Sequence, residues 1–228
     1  MPAVSAVFFD VDFTLIRPGP RFQAHGYEAS CTRHGLAIDA SRFERAVAAA
    51  APLLESGDHI YDGRVFERYT RRIIELMGGS GPALDAVARE IFLEWAEHRH
   101  FELYADVPDA LRQLHELGIR IGLISNTHRC LTSFESHFEL DGLISATVSS
   151  YQHGYMKPHP SIFRAALELM QVAPAEAAMV GDSLRHDVLG ARQIGMRGIL
   201  LARGELPSDV EAVDVVRSLS ELPQLLTE

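Results

Sequence analysis

Three short apolar runs, each followed at once by polar residues, set the pattern of the chain. They occupy residues 4–9, 119–124 and 178–180. Short apolar runs bounded by polar or turn residues are typical of buried strands. Ligands of parallel sheets bind where the carboxyl ends of the strands converge. The polar residues after each run are therefore candidates for a functional site.

Between residue 16 and about residue 100 the spacing of apolar positions changes from that of strands to that of helices. The predicted helices lie at 41–51, 65–77 and 83–98, with a glycine-rich breaker at 78–82. A further helix at 107–117 ends at Gly118, a residue type that commonly terminates helices. Strand and helix patterns then alternate to the C-terminus.

This order of elements predicts an α/β fold, a doubly wound, mostly parallel sheet covered by helices, with a helical insertion of roughly 80 residues after the first strand. We expect residues 1–16 and 101–228 to form the core, and residues 17–100 to form the insertion. Linkers are expected near residues 17–20 and 100–105.

Composition and charge narrow the class of protein. A chain of 228 residues with 47% apolar content can bury a substantial core. No stretch approaches the ~20 apolar residues of a membrane span, and no basic region precedes an apolar segment at the N-terminus. We therefore expect a cytoplasmic protein without a membrane partner. A net charge of −10 argues against general binding to a nucleic-acid backbone.

Two carboxylates follow the first apolar run, in the string Asp10-Val-Asp12-Phe-Thr14. Residues i and i+2 of an extended chain point to the same side. This spacing offers one carboxylate to attack a substrate and a second to handle protons. Taken alone, the string fits a turn with two solvated acids equally well.

Three further polar groups decide between these interpretations. Ser125-Asn126-Thr127 follows the second apolar run, and Lys157-Pro158 opens a helical pattern. The stretch 181–187, Gly-Asp-Ser-Leu-Arg-His-Asp, follows the third run. Each group follows a strand or precedes a helix, where the loops of a sheet converge.

The four groups, in this order, resemble the four motifs of the haloacid dehalogenase-like superfamily, specifically its phosphatase branch. The resemblance spans most of the chain, from Asp10 to Asp187. It implies a Rossmann-like core and makes the insertion at 17–100 a C1-type cap, which closes over the carboxyl edge of the sheet. It also implies an Mg²⁺-dependent phosphatase that acts on a small phosphorylated metabolite.

The resemblance assigns the reacting groups. Asp10 is the predicted nucleophile that forms an aspartyl-phosphate, and Asp12 the predicted general acid and base. Asp10, Asp182 and the backbone carbonyl of Asp12 are the predicted Mg²⁺ ligands, since hard oxygen ligands suit this ion. The metal-free dehalogenases of the superfamily lack the second acid that Asp12 provides, which argues against dehalogenation.

Other residues of the motifs are predicted to hold the phosphoryl group. The Ser125 hydroxyl donates to a phosphoryl oxygen, and Lys157 neutralises charge on that group and on Asp10. Thr14 orients Asp10 or the phosphate, or caps a helix instead. Asn126 steadies the phosphoryl pocket or caps the next helix.

Two further positions carry open alternatives. By resemblance, Asp187 acts through a water on the metal or through Lys157; it could instead be a simple helix N-terminal acid. Phe13 stands where the family often has glycine, and either presses on the cap or leaving group or simply packs.

Three matters remain open at this point. A phosphomutase would use the same Asp10 and Asp12, and a noncatalytic binding protein could retain the fold. The sequence does not identify the phosphate ester, or the cap residues that contact its leaving group. Oligomeric state is likewise open.

Overall fold

The computed structural model describes residues 4–54, 58–204 and 213–227. The chain divides into two compact units. The first comprises Met1–Arg17 and Leu103–Glu228, and the second comprises Pro18–Glu102. Among the described helices, none combines the length and the apolar composition that a membrane span requires.

Strands in the described ranges form one large sheet and one small one. The strands are β1 (Ala6–Phe9), β2 (Ile16–Pro18), β3 (Phe101–Leu103), β4 (Arg120–Ser125), β5 (Ile144–Ser149), β6 (Ala177–Gly181), β7 (Arg197–Leu201) and β8 (Asp214–Val216). The large sheet has the order β5-β4-β1-β6-β7-β8, and its neighbouring strands pair in parallel.

Helices connect these strands. The α-helices are α1 (Ala24–Arg33), α2 (Phe43–Ala50), α3 (Gly63–Leu76), α4 (Leu84–Glu94), α5 (Val107–Glu116), α6 (Phe134–His137), α7 (Ser150–His153), α8 (Pro160–Met170), α9 (Gly190–Arg192) and α10 (Leu222–Thr227). A π-helical segment, Leu184–Leu189, precedes α9. The predicted α/β fold with a parallel sheet is confirmed.

The register of the sheet brings the candidate residues to one edge. Phe9, the last residue of β1, lies opposite Leu123 of β4 and Val180 of β6. The next residues of all three strands therefore emerge at the same carboxyl edge, on either side of the central strand. This is why Asp10 comes close to residues that follow it by more than a hundred positions.

The core of the first unit packs against both faces of β1, whose four residues are all buried. Phe8 lies in a buried apolar cluster with Ile124, Phe163 and Met179. Complete burial of each such side chain contributes about 1.5–3 kcal/mol. A rigid β1 gives the residue after it, Asp10, a fixed starting point.

The second unit is helical, as the apolar spacing predicts. Helices α3 and α4 pack together, and the rings of Phe66 and Phe92 stack with centroids 6.4 Å apart. The predicted helix at 83–98 ends early, at Glu94. The Trp95 ring packs on Phe22 instead, with centroids 4.4 Å apart.

The two segments predicted as linkers overlap short strands. Residues 16–18 and 101–103 are the short strands β2 and β3, which form the two-stranded sheet. Pairing satisfies backbone groups where the chain passes from one unit to the other. Three-residue strands are too short to produce a recognisable periodic pattern.

Gly122 in β4 supports a direct test of core packing. A Cβ atom at this position would lie 2.6 Å from Cδ1 of Phe8 and 3.0 Å from Sδ of Met170. We expect Gly122→Ala to lower the free energy of unfolding by about 1–3 kcal/mol, because the core would be overpacked. Urea denaturation measures this change.

The matched control is Gly204→Ala, since a Cβ there would meet nothing within 4 Å. This variant should unfold like the native chain or be slightly more stable. Equal stability of the two variants would contradict the packing account.

Candidate active site

A buried ammonium group lies at the centre of the candidate site. Lys157 Nζ donates to Oδ1 of Asp10 and to Oδ1 of Asp187, both at 2.6 Å. The side chains of Lys157 and Asp187 are 2% and 1% exposed. Charges this far from water are tolerated only when paired, so each of the three groups fixes the position of the other two.

The backbone of Lys157 is held by the amide of Asn126. Asn126 Nδ2 donates to the carbonyl oxygen of Lys157 at 3.0 Å, and the N–H of Lys157 donates to Asn126 Oδ1 at 2.7 Å. Through these two contacts, Asn126 connects the loop after β4 to the residue that carries the ammonium group. Its predicted contact with a phosphoryl group stays a prediction.

Asp187 is held by the start of the fourth motif. The N–H of Ser183 donates to Asp187 Oδ2 at 3.0 Å, and Asp187 itself lies in the π-helical segment. A Cβ atom on Gly181 would lie 2.2 Å from that same oxygen. Glycine at position 181 is therefore needed for the close approach of the carboxylate.

Asp182 completes a group of carboxylates at the sheet edge. Oxygen atoms of Asp10, Asp182 and Asp187 all lie within 4.8 Å of one another. Burial raises the pKa of Asp10 to about 6, with Lys157 opposing and Asp187 adding to the shift. Burial of its carboxyl group, then repulsion from Asp10 and Asp187, raises the pKa of Asp182 to about 8, although the residue as a whole is exposed.

Lys157 is stabilised in its charged form. Burial alone would lower its pKa, but the carboxylates of Asp10 and Asp187 outweigh burial and raise it. One ammonium group thus lies among three carboxylates, which leaves negative charge in excess. The raised pKa values of Asp10 and Asp182 arise mainly from burial, and repulsion from Asp187 adds to both. A donor set of clustered carboxylate oxygens with excess negative charge fits a hard divalent cation such as Mg²⁺.

Asp12 has a partner that sequence reasoning missed. Arg129 Nη1 donates to Oδ1 of Asp12 at 3.0 Å and to Oδ2 at 3.2 Å. Burial raises the pKa of Asp12, and the guanidinium group partly offsets that rise. The available signal was an arginine four residues after Ser125, inside the loop where the site was expected.

Thr14 and Ser125 are both buried at the same edge. Among the described residues, Thr14 Oγ1 has no hydrogen-bond partner. Its carbonyl oxygen accepts from Nη2 of Arg203 at 2.9 Å, and Arg203 also pairs with Asp106. Ser125 ends β4 and is 1% exposed. The phosphate-binding roles of both hydroxyls stay predictions.

Phe13 adopts a left-handed backbone conformation, with φ of 62°. Its N–H donates to the carbonyl oxygen of Ile16 at 2.7 Å, which closes the turn after Asp12. This conformation costs a side-chain-bearing residue about 1–2 kcal/mol, which explains why glycine is often found here. The ring itself is 47% exposed.

Comparison with known proteins agrees with this geometry. Residues 4–195 match the model of a hydrolase family described as haloacid dehalogenase-like hydrolase. The chain belongs to this family. The identification made from the four motifs is confirmed.

Two curated relatives carry named activities. The chain is 36% identical over 153 residues to phosphoserine phosphatase of Thermus thermophilus, and this match covers 64% of this chain and 58% of the relative. It is 29% identical over 237 residues to glyceraldehyde 3-phosphate phosphatase of Pyrococcus furiosus, and this match covers 99% of this chain and 93% of the relative. The predicted enzyme class, a phosphatase of this family, agrees with both.

Solved structures in the family share the fold. The HAD-hydrolase YfnB of Bacillus subtilis, bound to magnesium, superposes with a TM-score of 0.75 at 17% identity. The match covers 99% of this chain and 100% of that structure.

The raised pKa of Asp182 predicts a pH dependence of stability. Its folded value of about 8 lies above the ordinary 3.8, so between these values the folded chain binds the extra proton. Stability from this group is therefore lost as the pH rises through this window. In metal-free buffer, Asp182→Asn should be more stable than the native chain at pH 9, by about 1 kcal/mol after allowance for solvent screening.

Urea denaturation with chelator at a series of pH values measures the difference. It should shrink towards zero as the pH approaches the ordinary value of an aspartate. Asp141→Asn, at an exposed carboxylate, is the control and should track the native chain. A stability difference between Asp182→Asn and the native chain that grows towards low pH would contradict the predicted direction of the pH dependence.

Proposed function

We propose that this chain is an Mg²⁺-dependent phosphatase that hydrolyses a small phosphate monoester through an aspartyl-phosphate on Asp10. The observation that carries the proposal is the contact of Asp10 with the buried Lys157, beside the carboxylate of Asp182. A carboxylate is a weak nucleophile, so it must be held in place and its repulsion from phosphate offset.

Asp10 begins the reaction. With a pKa of about 6, it is mostly ionised at neutral pH and free to attack. Its oxygen forms a bond to phosphorus while the bond from phosphorus to the leaving-group oxygen breaks. Asp12 gives its proton to that departing oxygen. Lys157 offsets negative charge on the phosphoryl oxygens.

Water completes the turnover. Asp12, now ionised, accepts a proton from the water whose oxygen forms a bond to phosphorus. The bond between phosphorus and Asp10 then breaks, which releases inorganic phosphate and restores the free carboxylate. Each proton that Asp12 donates in the first step is thus replaced in the second.

The predicted metal ligands are Asp10, Asp182 and the backbone carbonyl of Asp12. When bound, Mg²⁺ supplies positive charge that offsets repulsion between the phosphate and the carboxylates. Of the three roles considered for Asp187, its contact of 2.6 Å with Lys157 supports the one that acts through Lys157.

The relatives support a small substrate. Phosphoserine and glyceraldehyde 3-phosphate, the compounds named for them, are both small phosphate monoesters. We propose that the second unit, Pro18–Glu102, serves as the C1-type cap that excludes water and contacts the leaving group. Within that unit Arg21 pairs with Glu90 and Glu94, which leaves it poorly placed to bind substrate charge.

A panel of small phosphate esters tests the proposal. Phosphate release should require Mg²⁺ and fall to background with chelator. Asp10→Asn should lower kcat by at least about a thousandfold, since an amide cannot replace the nucleophile. Asp141→Asn, an exposed carboxylate, should leave the rate unchanged.

Product analysis on a sugar phosphate, with a bisphosphate primer, separates hydrolysis from a mutase reaction. Release of inorganic phosphate is expected, whereas an isomeric sugar phosphate would favour the mutase. Metal-dependent release that survives in Asp10→Asn would contradict the assignment of the nucleophile.

A further inference from the structure

Arg129 is a buried cation outside the Lys157 cluster. Its side chain is 0% exposed and is one of the largest fully buried side chains in the described part of the chain. A guanidinium group cannot lose its proton to escape burial, so burial requires compensating contacts. One of its contacts is with the carboxylate of Asp12.

The loop that carries Arg129 is anchored independently of Asp12. The N–H of Arg129 donates to Thr127 Oγ1 at 3.1 Å. The carbonyl oxygen of Thr127 accepts from the N–H of Tyr151 at 3.2 Å and from Ser150 Oγ at 3.3 Å. Thr127 and Ser150 are themselves buried. The loop is thus tied to the end of β5, and the guanidinium group projects from a fixed base.

Asp12, in contrast, sits on a tight turn after β1 rather than within the sheet. The N–H of Leu15 donates to the Val11 carbonyl at 2.9 Å, and Asp12 makes an isolated bridge to Ile16. These contacts fix the backbone and leave the carboxyl group to be oriented by its own neighbours. Arg129 Nη1 reaches both of its oxygens.

We infer that Arg129 is a positioning residue that holds the Asp12 carboxyl group in the orientation needed for proton transfer with the leaving group and water. The inference rests on the proposed function. The contact is compatible with both forms of Asp12, because a protonated carboxyl group keeps an oxygen that accepts from Nη1.

A pair of aryl esters isolates this role. Phenyl phosphate releases a strongly basic phenolate that needs a proton, whereas 4-nitrophenyl phosphate releases a stable anion that leaves without one. Loss of oriented general acid therefore slows the first ester more than the second. A general loss of folded protein or of phosphate binding slows both equally.

The experiment compares kcat/KM for the two esters, with Mg²⁺, in the native chain and in Arg129→Gln. This ratio reports the steps up to departure of the leaving group, and so leaves out the later hydrolysis of the aspartyl-phosphate, which both esters share. We expect kcat/KM to fall about tenfold or more further on phenyl phosphate than on 4-nitrophenyl phosphate, which is within the usual contribution of general acid catalysis. Arg129→Lys should restore part of the difference, since an ammonium group still donates to Asp12. Asp12→Asn should show the same selective loss and serves as the reference.

Arg112→Gln is the matched control, because Arg112 forms an exposed ion pair with Asp109 and should leave both rates unchanged. If thermal unfolding shows that Arg129→Gln does not fold, the ratio in Arg129→Lys decides, and the same direction is expected.

An equal loss of kcat/KM on both esters would overturn the inference. So would faster turnover of phenyl phosphate in the variants, which would mean that Arg129 holds Asp12 away from the leaving group. Failure of the native chain to hydrolyse either ester would instead overturn the proposed function on which the inference rests.

Discussion

The burial of one ammonium group between two carboxylates is the constraint on which the site depends. Breaking a buried ion pair by removing one partner typically costs 3–5 kcal/mol, whereas the intact pair adds little net stability. The contacts of Lys157 with Asp10 and Asp187 are therefore better understood as fixing positions than as stabilising the fold. Asn126 and Ser183 hydrogen-bond to Lys157 and Asp187, and Gly181 leaves room for the Asp187 carboxylate.

Unequal charge gives the cluster its chemical character. Three carboxylates lie beside one ammonium group, and burial, with repulsion among the carboxylates adding to it, keeps the pKa values of Asp10 and Asp182 above the ordinary range. An added cation relieves this excess, and the combined positive charge then favours a phosphate group. Asp12 responds first to its own burial and to Arg129, and less to Asp10 and Lys157. A site built this way keeps nucleophile and proton donor under different local fields.

Much of the site was predictable because its residues stand at the ends of buried strands. Asp10 and Asp182 follow apolar runs directly, and parallel pairing of β1 with β6 brings them together whatever the intervening sequence. The partner of Asp12 was not predictable in this way. Arg129 follows Asp12 by 117 residues, and their contact depends on the path of a loop rather than on strand register.

Local backbone geometry accounts for the remaining differences between sequence and structure. Phe13 adopts a left-handed conformation, with φ of 62°. The sequence does not predict it, because residues with a side chain rarely adopt this conformation. The strands β2 and β3 are too short to show alternation, and α4 ends at Glu94, just before Trp95, whose ring packs on Phe22. Such features depend on contacts that form only when distant segments meet.

The central claim is that Asp10 carries the phosphoryl group during turnover. The most direct test is a single-turnover reaction with excess enzyme, stopped by acid, followed by proteolysis and mass spectrometry of the peptide that contains Asp10. The account predicts that this peptide gains the mass of one phosphoryl group before free phosphate accumulates, and then loses it. Phosphate release without any phosphoryl group on Asp10, or with that group on another residue, would contradict the account.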